Sequence, residues 1–212
     1  MKHRIFIAIN LPENIKKRLS EYEAKWLELP CRWTKKENLH ITLAFLGYLA
    51  DEELLKVCKI TKVVALKHEP FFINLNKIMY GPPNNTPRMI WVEGEKSQEL
   101  GNLQRDLENT LSGLSTESKN IPRSPTATGM AAPRQEAGMA AEGLAKEGRG
   151  YTVHITLGRL KQWEFRQIEP EERPQINEEI SLSFDVESLE IMESELKRGG
   201  PTYSILESVP LC

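Results

Sequence analysis

Cysteine is scarce in this chain, with three in 212 residues at Cys31, Cys58 and Cys212. An odd count with no Cys-x-x-Cys spacing argues against a disulfide framework or a zinc site and for reduced thiols in a cytoplasm. An excess of either charge is missing too. With 28 Lys+Arg against 30 Asp+Glu the formal net charge is -2. No overall basic field exists of the kind that drives sequence-independent duplex binding, so any nucleic-acid contact is expected to be local, at an end or a single nucleotide. Long apolar runs are absent as well. The opening "MKHRIFIAIN" is too short for a signal peptide and reaches Pro12 at once, and no stretch approaches a membrane span.

What is present is ordinary in bulk: 40% hydrophobic and 27% charged residues, in a length that suits one large domain or two small lobes. Periodicity predicts a central strand over 4–10, apolar on both faces. A helix over about 12–28 follows, striped by Ile15, Leu19, Tyr22 and Trp26. A second helix over about 51–66 is expected to be capped by Asp51, with Leu54, Val57, Cys58 and Val64 inward. Strands at about 70–79 and 88–94 flank the turn-rich "YGPPNNTP", and Leu100, Leu103, Leu107 and Leu111 stripe a helix over about 96–113. The C-terminal part reads as one long alternating strand over 180–196, joined through "KRGGP" to a last strand over 202–208. Residues 115–150, rich in Ala and Gly with no aromatic anchor, read as a flexible insertion or weak surface helix, with a flap as the functional alternative.

One detail is unusual. In "ENLHITLAFLGYL" (37–49) Leu39, Ile41, Leu43 and Phe45 alternate toward one face, which leaves His40, Thr42 and Ala44 on the other. A lone histidine there would read as a core residue. But "YTVHITLGRL" (151–160) repeats it, with His154, Thr156 and Gly158 opposite Val153, Ile155 and Leu157. In a chain with 4 His, two His-x-Thr-Leu matches by chance come to roughly a few in ten thousand. Both halves then share an order of strand, helix and His-x-Thr-Leu strand. This implies an α+β fold of two pseudo-symmetric lobes, each an antiparallel sheet with outer helices, in a single bilobal domain over 1–212. The histidine strands would meet across a central groove.

Two facing imidazoles supply a proton acceptor and a proton donor near neutral pH, which suits in-line displacement at phosphorus. A threonine two residues on points the same way, about 6–7 Å further along. Two such hydroxyls could donate to the non-bridging oxygens as charge develops. No carboxylate or cysteine cluster accompanies the motifs, so neither a metal nor another cofactor is implied.

These motifs and their flanks resemble the two-histidine phosphoesterase superfamily, and within it the RNA 2′,3′-cyclic phosphodiesterases, also called 2′-5′ RNA ligases. The likeness runs through "RIFIAINLP", "RWTKKENLHITLAFLG", "PRMIWVEGE", "HITLGRL" and "LEIMESELKRGGPTYSILES", sparing only about 115–150. The resemblance implies metal-independent opening of 2′,3′-cyclic phosphates, on RNA ends or nucleosides, to 2′-phosphomonoesters. It makes His40 the acid that protonates the departing 3′ oxygen and His154 the base that activates water. Thr42 and Thr156 would hold the phosphate, and Arg159 could pair with it bidentately. A cytoplasmic monomer is expected. The family commonly has proline just before the second histidine and phenylalanine a little earlier, where Val153 and Tyr151 stand here. Trp33 and Phe45 read as core residues or base platforms, and Arg32, Arg88, Lys197 and Arg198 as solvated surface or an RNA path. Two other readings stay open: an RNA-end-binding module without turnover, and 2′-5′ ligation or cleavage on the same groups.

Overall fold

The structure, a computed structural model, describes residues 2–83, 86–115, 151–198 and 200–212. The expected insertion at about 115–150 lies, from residue 116 on, outside the described residues. The elements are strand β1 (Lys2–Asn10), helix α1 (Glu13–Glu21), β2 (Cys31–Trp33), β3 (His40–Ala50), α2 (Asp51–Ala65), β4 (Phe71–Gly81) and β5 (Met89–Gly94). They continue with α3 (Gln98–Ser115), β6 (His154–Leu160), α4 (Gln162–Gln167), β7 (Asn177–Val186), β8 (Ser188–Lys197) and β9 (Gly200–Pro210).

The strands form two sheets, ordered β3-β1-β8-β9 and β2-β6-β5-β4-β7. Every neighbouring pair is antiparallel. The architecture is therefore α+β with two antiparallel sheets, as expected. The sets β3-β1-β8-β9 and β6-β5-β4-β7 correspond in order, each beginning with a histidine strand, and β2 is added outside β6. The halves are interleaved: β2 comes from the N-terminal half yet pairs with β6, and β8–β9 come from the C-terminal end yet pair with β1.

Ile5, Ile7 and Ile9 of β1 join the main core, which takes in residues of both sheets and the stripe Leu100, Leu103, Leu107 and Leu111 of α3. Phe6 and Ala8, on the other face of β1, form a small cluster with Met192, against which Tyr203 packs. With both faces covered, β1 is interior, as its unbroken apolar run predicts.

Three expectations are corrected. The helix over 12–28 is an α-helix only to Glu21; Tyr22 N–H then bonds the Leu19 carbonyl, the tighter i→i−3 pattern, and a 3₁₀ turn spans Tyr22–Trp26. Asp51 is the first helical residue of α2 rather than its cap; Ala50 holds the cap position, and its N–H donates to Glu53 Oε2 at 2.7 Å. The single strand over 180–196 is two strands in different sheets, β7 and β8, with Glu187 between them. Parity explains the split. The inward residues are Ile180, Leu182, Phe184 and Val186 before the break, then Leu189 and Ile191 after it. An even set and an odd set cannot share one face of a continuous strand.

Candidate active site

Both histidine strands carry a one-residue bulge at the same place. On β3, Thr42 pairs with Ala8 but Ala44 pairs with Ile7, so Leu43 is the extra residue. On β6, Thr156 pairs with Trp91 but Gly158 pairs with Ile90, so Leu157 is the extra residue. A bulge re-aims the side chains beyond it. The five-residue offset from each histidine therefore returns to the groove, delivering Phe45 on one wall and Arg159 on the other. Strict alternation had put Phe45 on the core face and Gly158 on the histidine face. Instead Phe45 is 42% exposed in the groove, while Gly158 is buried against β2, where an added Cβ would lie 2.4 Å from Cys31 Sγ.

The histidines hang from similar local anchors. His40 Nδ1 is 2.7 Å from the carbonyl of Asn38, and His154 Nδ1 is 3.3 Å from the carbonyl of Thr152, two residues back in each case. A carbonyl can only accept, so Nδ1–H is the tautomer that fits and Nε2 is the nitrogen left for chemistry. At His40 that Nε2 lies 2.9 Å from Thr42 Oγ1 and accepts its hydroxyl proton in this tautomer. The anchor is itself tied down, because Asn38 is buried and donates through Nδ2 to the Pro201 carbonyl at the root of the β8–β9 turn.

Their walls differ. His40 sits against Phe6, ring centroids 5.0 Å apart, and meets Tyr203 edge-on at 5.2 Å. This burial lowers the pKa of His40 from 6.5 to about 4, against the opposing pull of the Asn38 carbonyl; the nearby charges of Lys16 and His154 lower it further. His154 lies against the Trp91 indole at 4.6 Å and a 33° tilt. The indole in turn rests on bare backbone: a Cβ at Gly81 would come within 2.3 Å of it. Among the described residues Trp91 Nε1 is buried without a hydrogen-bond partner, so the indole is held for its ring rather than its N–H.

His40, Thr42, His154, Thr156 and Arg159 all line one cavity of about 350 Å³ between the sheets. Arg4, Arg32, Lys35, Trp33, Trp91 and Tyr203 line it too, and among the described residues no Asp or Glu does. Of the other sequence candidates, Arg88, Lys197 and Arg198 do not reach it. The histidines given no role are paired elsewhere, His3 with Glu193 and Asp51 and His68 with Asp106. Among the described residues no group of three His, Cys, Asp or Glu converges as a metal site would need. Tyr151, where the resemblance led to phenylalanine, is buried and donates its hydroxyl to the Thr42 carbonyl at 2.5 Å, joining the approach to the second motif directly to the first.

Among the residues of this site that escaped the sequence reading are Asn38, Trp91, Tyr203, Lys35 and Arg4. Arg4 alternates with Phe6 and Ala8 on β1, and the parity of that strand could have found it. Tyr203 reaches His40 only through the pairing of the C-terminal hairpin with β1, which no local pattern announces.

Residues 9–91 match the family profile described as LigT like Phosphoesterase. The RNA 2′,3′-cyclic phosphodiesterase of Methanocaldococcus jannaschii is 26% identical over 205 residues, covering 96% of this chain and 98% of that relative. The protein of the same name from Thermus thermophilus is 28% identical over 215 residues, covering 98% and 90%. Among solved structures, TT0787 of Thermus thermophilus has a TM-score of 0.72 at 26% identity, covering 98% of this chain and 97% of that one. Escherichia coli LigT complexed with phosphate shares the fold at a TM-score of 0.67 and 20% identity, over 99% and 98% of the two chains. Along nearly its whole length the chain is similar to RNA 2′,3′-cyclic phosphodiesterases, residues 9–91 resemble the LigT-like phosphoesterases, and the fold is one that LigT shares.

Proposed function

We propose that this chain opens the 2′,3′-cyclic phosphate of an RNA end or nucleoside to a 2′-phosphomonoester, using His40 and His154 as the proton-transfer pair and no metal. The observation that carries the reading is the pair of His-x-Thr motifs on strands of opposite sheets, facing one cavity lined by arginines. Water attacks phosphorus as the bond to the 3′ oxygen breaks. His154 Nε2 takes the proton from water, and His40 Nε2 delivers one to the departing 3′ oxygen. Thr42 and Thr156 donate to the non-bridging oxygens. Burial favours the neutral form of His40. A bound phosphate sets a negative charge beside the ring, and this favours the protonated form an acid requires.

We further infer a single bilobal domain working as a monomer. The three unpaired cysteines favour a cytoplasmic site of action. Among the described residues no helix is long and apolar enough to cross a membrane.

The deciding experiment incubates the purified chain with cytidine 2′,3′-cyclic phosphate in excess EDTA and follows the product by phosphorus NMR. Conversion to the 2′-phosphate alone is expected. Binding without turnover would leave a module that only grips RNA ends, the 3′-phosphate would reverse the leaving group, and loss of rate on chelation would contradict the metal-free scheme.

A further inference from the structure

The two histidines are anchored alike, but their anchors are secured differently. Each Nδ1 faces the carbonyl two residues back, at 2.7 Å for His40 and 3.3 Å for His154. The carbonyl that holds His40 belongs to Asn38, a buried residue whose side-chain amide is tied to Pro201. The one that holds His154 belongs to Thr152, an exposed residue in the stretch leading into β6. Residues 151–153 lie outside any strand. Their backbone is bonded to β5 where the Val153 carbonyl accepts from Gly94 N–H at 3.2 Å.

A second tether comes from a side chain. Tyr151, the residue before Thr152, is buried and donates its hydroxyl to the Thr42 carbonyl of β3 at 2.5 Å. Burial raises its pKa, so the hydroxyl stays a neutral donor at any working pH. β3 is fixed independently, by antiparallel pairing with β1 from His40 to Ala50. The strand bearing His40 and Thr42 is therefore the reference, and the approach to His154 is what this bond holds. Removing the donor would leave the other end of a buried hydrogen bond unpaired, so the bond resists opening.

We propose that Tyr151 is a positioning residue, whose hydroxyl holds the Thr152 carbonyl in place against β3 and so sets the position and tautomer of His154 relative to His40 and Thr42. This rests on the reading of the two histidines as the proton-transfer pair. Tyr151 does not line the cavity and acts through His154. A misplacement of about 1 Å in a reacting geometry costs on the order of 100-fold in rate, so one hydroxyl at this place is enough to matter.

The test is Tyr151→Phe, which keeps the ring and removes only the oxygen. With cytidine 2′,3′-cyclic phosphate, kcat is expected to fall by about 10- to 100-fold with KM little changed. The loss should vanish in a His154→Ala background, because a base that is absent cannot be misplaced. Nitrogen-correlated NMR of the imidazoles reads the same tether without turnover. In the wild type His154 should carry its proton on Nδ1, and in Tyr151→Phe it should exchange between tautomers while His40 stays unchanged. An unaltered kcat overturns the proposal, as does an equal loss in the His154→Ala background. A lower thermal transition with kcat and the His154 spectrum intact also overturns it, and leaves the hydroxyl a bond of the fold alone. If the wild type opens no cyclic phosphate, the reading of the histidine pair fails, while the His154 spectrum still decides whether the tether exists.

Discussion

Protonating His40 should cost this fold stability over a defined pH window. The imidazole is packed against Phe6 and Tyr203, its Nδ1–H is given to Asn38, and its Nε2 accepts from Thr42. Adding a proton at Nε2 creates a charge in that setting and forces the Thr42 hydroxyl to reverse its role. The folded pKa falls from 6.5 to about 4, a displacement worth about 3 kcal/mol at 1.36 kcal/mol per unit. The sign follows from which state binds more protons. Between those two values the unfolded chain carries the proton and the folded chain does not, so stability falls as pH drops through 6.5 and levels off below about 4. Urea denaturation of the wild type and of His40→Gln between pH 7.5 and 4 isolates this contribution, because the glutamine does not titrate. The stability difference between the two should change by about 3 kcal/mol across the window, at the expense of the wild type. Parallel curves would refute the burial argument, as would a His40 imidazole that titrates near 6.5 by NMR. Adding inorganic phosphate should move the midpoint up, so that binding at pH 6 takes up a proton, visible as a buffer-dependent binding enthalpy.

Other outcomes follow from the same geometry. His40→Ala and His154→Ala should each lower kcat by about 10²–10⁴, and the double variant should lose far less than the product of the two, because both groups act in one step; full additivity in steady-state rates would contradict a concerted pair. A substrate with a good leaving group at the 3′ position should rescue His40→Ala and leave His154→Ala slow, and the opposite pattern would exchange their roles. Thr42→Ala and Thr156→Ala should each cost about 1–3 kcal/mol of transition-state stabilisation for one lost donor, read from kcat/KM. Gly81→Ala should lower stability by about 1–3 kcal/mol and slow turnover, since its Cβ displaces the indole that backs His154; an unaltered melt and rate would show that the ring contact is idle.

Much of this site could be read from residue types because the motif is duplicated. The pairing of His40 with Thr42, and of His154 with Thr156, needs only the two-residue period of a strand. The leucine stripe of α3 and the apolar run of β1 were equally plain, each being a local period with one solution. The fate of Phe45 and Gly158 was not legible, because the inserted residue of each bulge is a leucine indistinguishable from its neighbours. What makes it an extra residue is the register with β1 or β5. The break at Glu187 left a trace in the switch from even to odd apolar positions, but the alternation on either side of it is good enough to read through. Tyr203 and Asn38 belong to contacts spanning over 160 residues, and these are set by the exchange of strands between halves rather than by any local pattern.

That exchange also governs the order in which the protein can form during synthesis. β1 is among the first segments made, but Ile5, Phe6, Ile7 and Ala8 meet their β8 partners only when residues 190–193 have emerged. Until then the β1–β3 pair, already carrying His40, has one unpaired edge of apolar residues, the kind of edge that pairs with strangers. The second sheet needs β2 from the early chain but otherwise closes within the later part. It is free to assemble while the first still waits. Its closure over β6 would bring His154 into place before the hairpin bearing Tyr203 seals the wall behind His40. Pairings of such sequence separation are slow, and a ribosome-bound chain stopped short of β8 should be protected around His154 and open around His40.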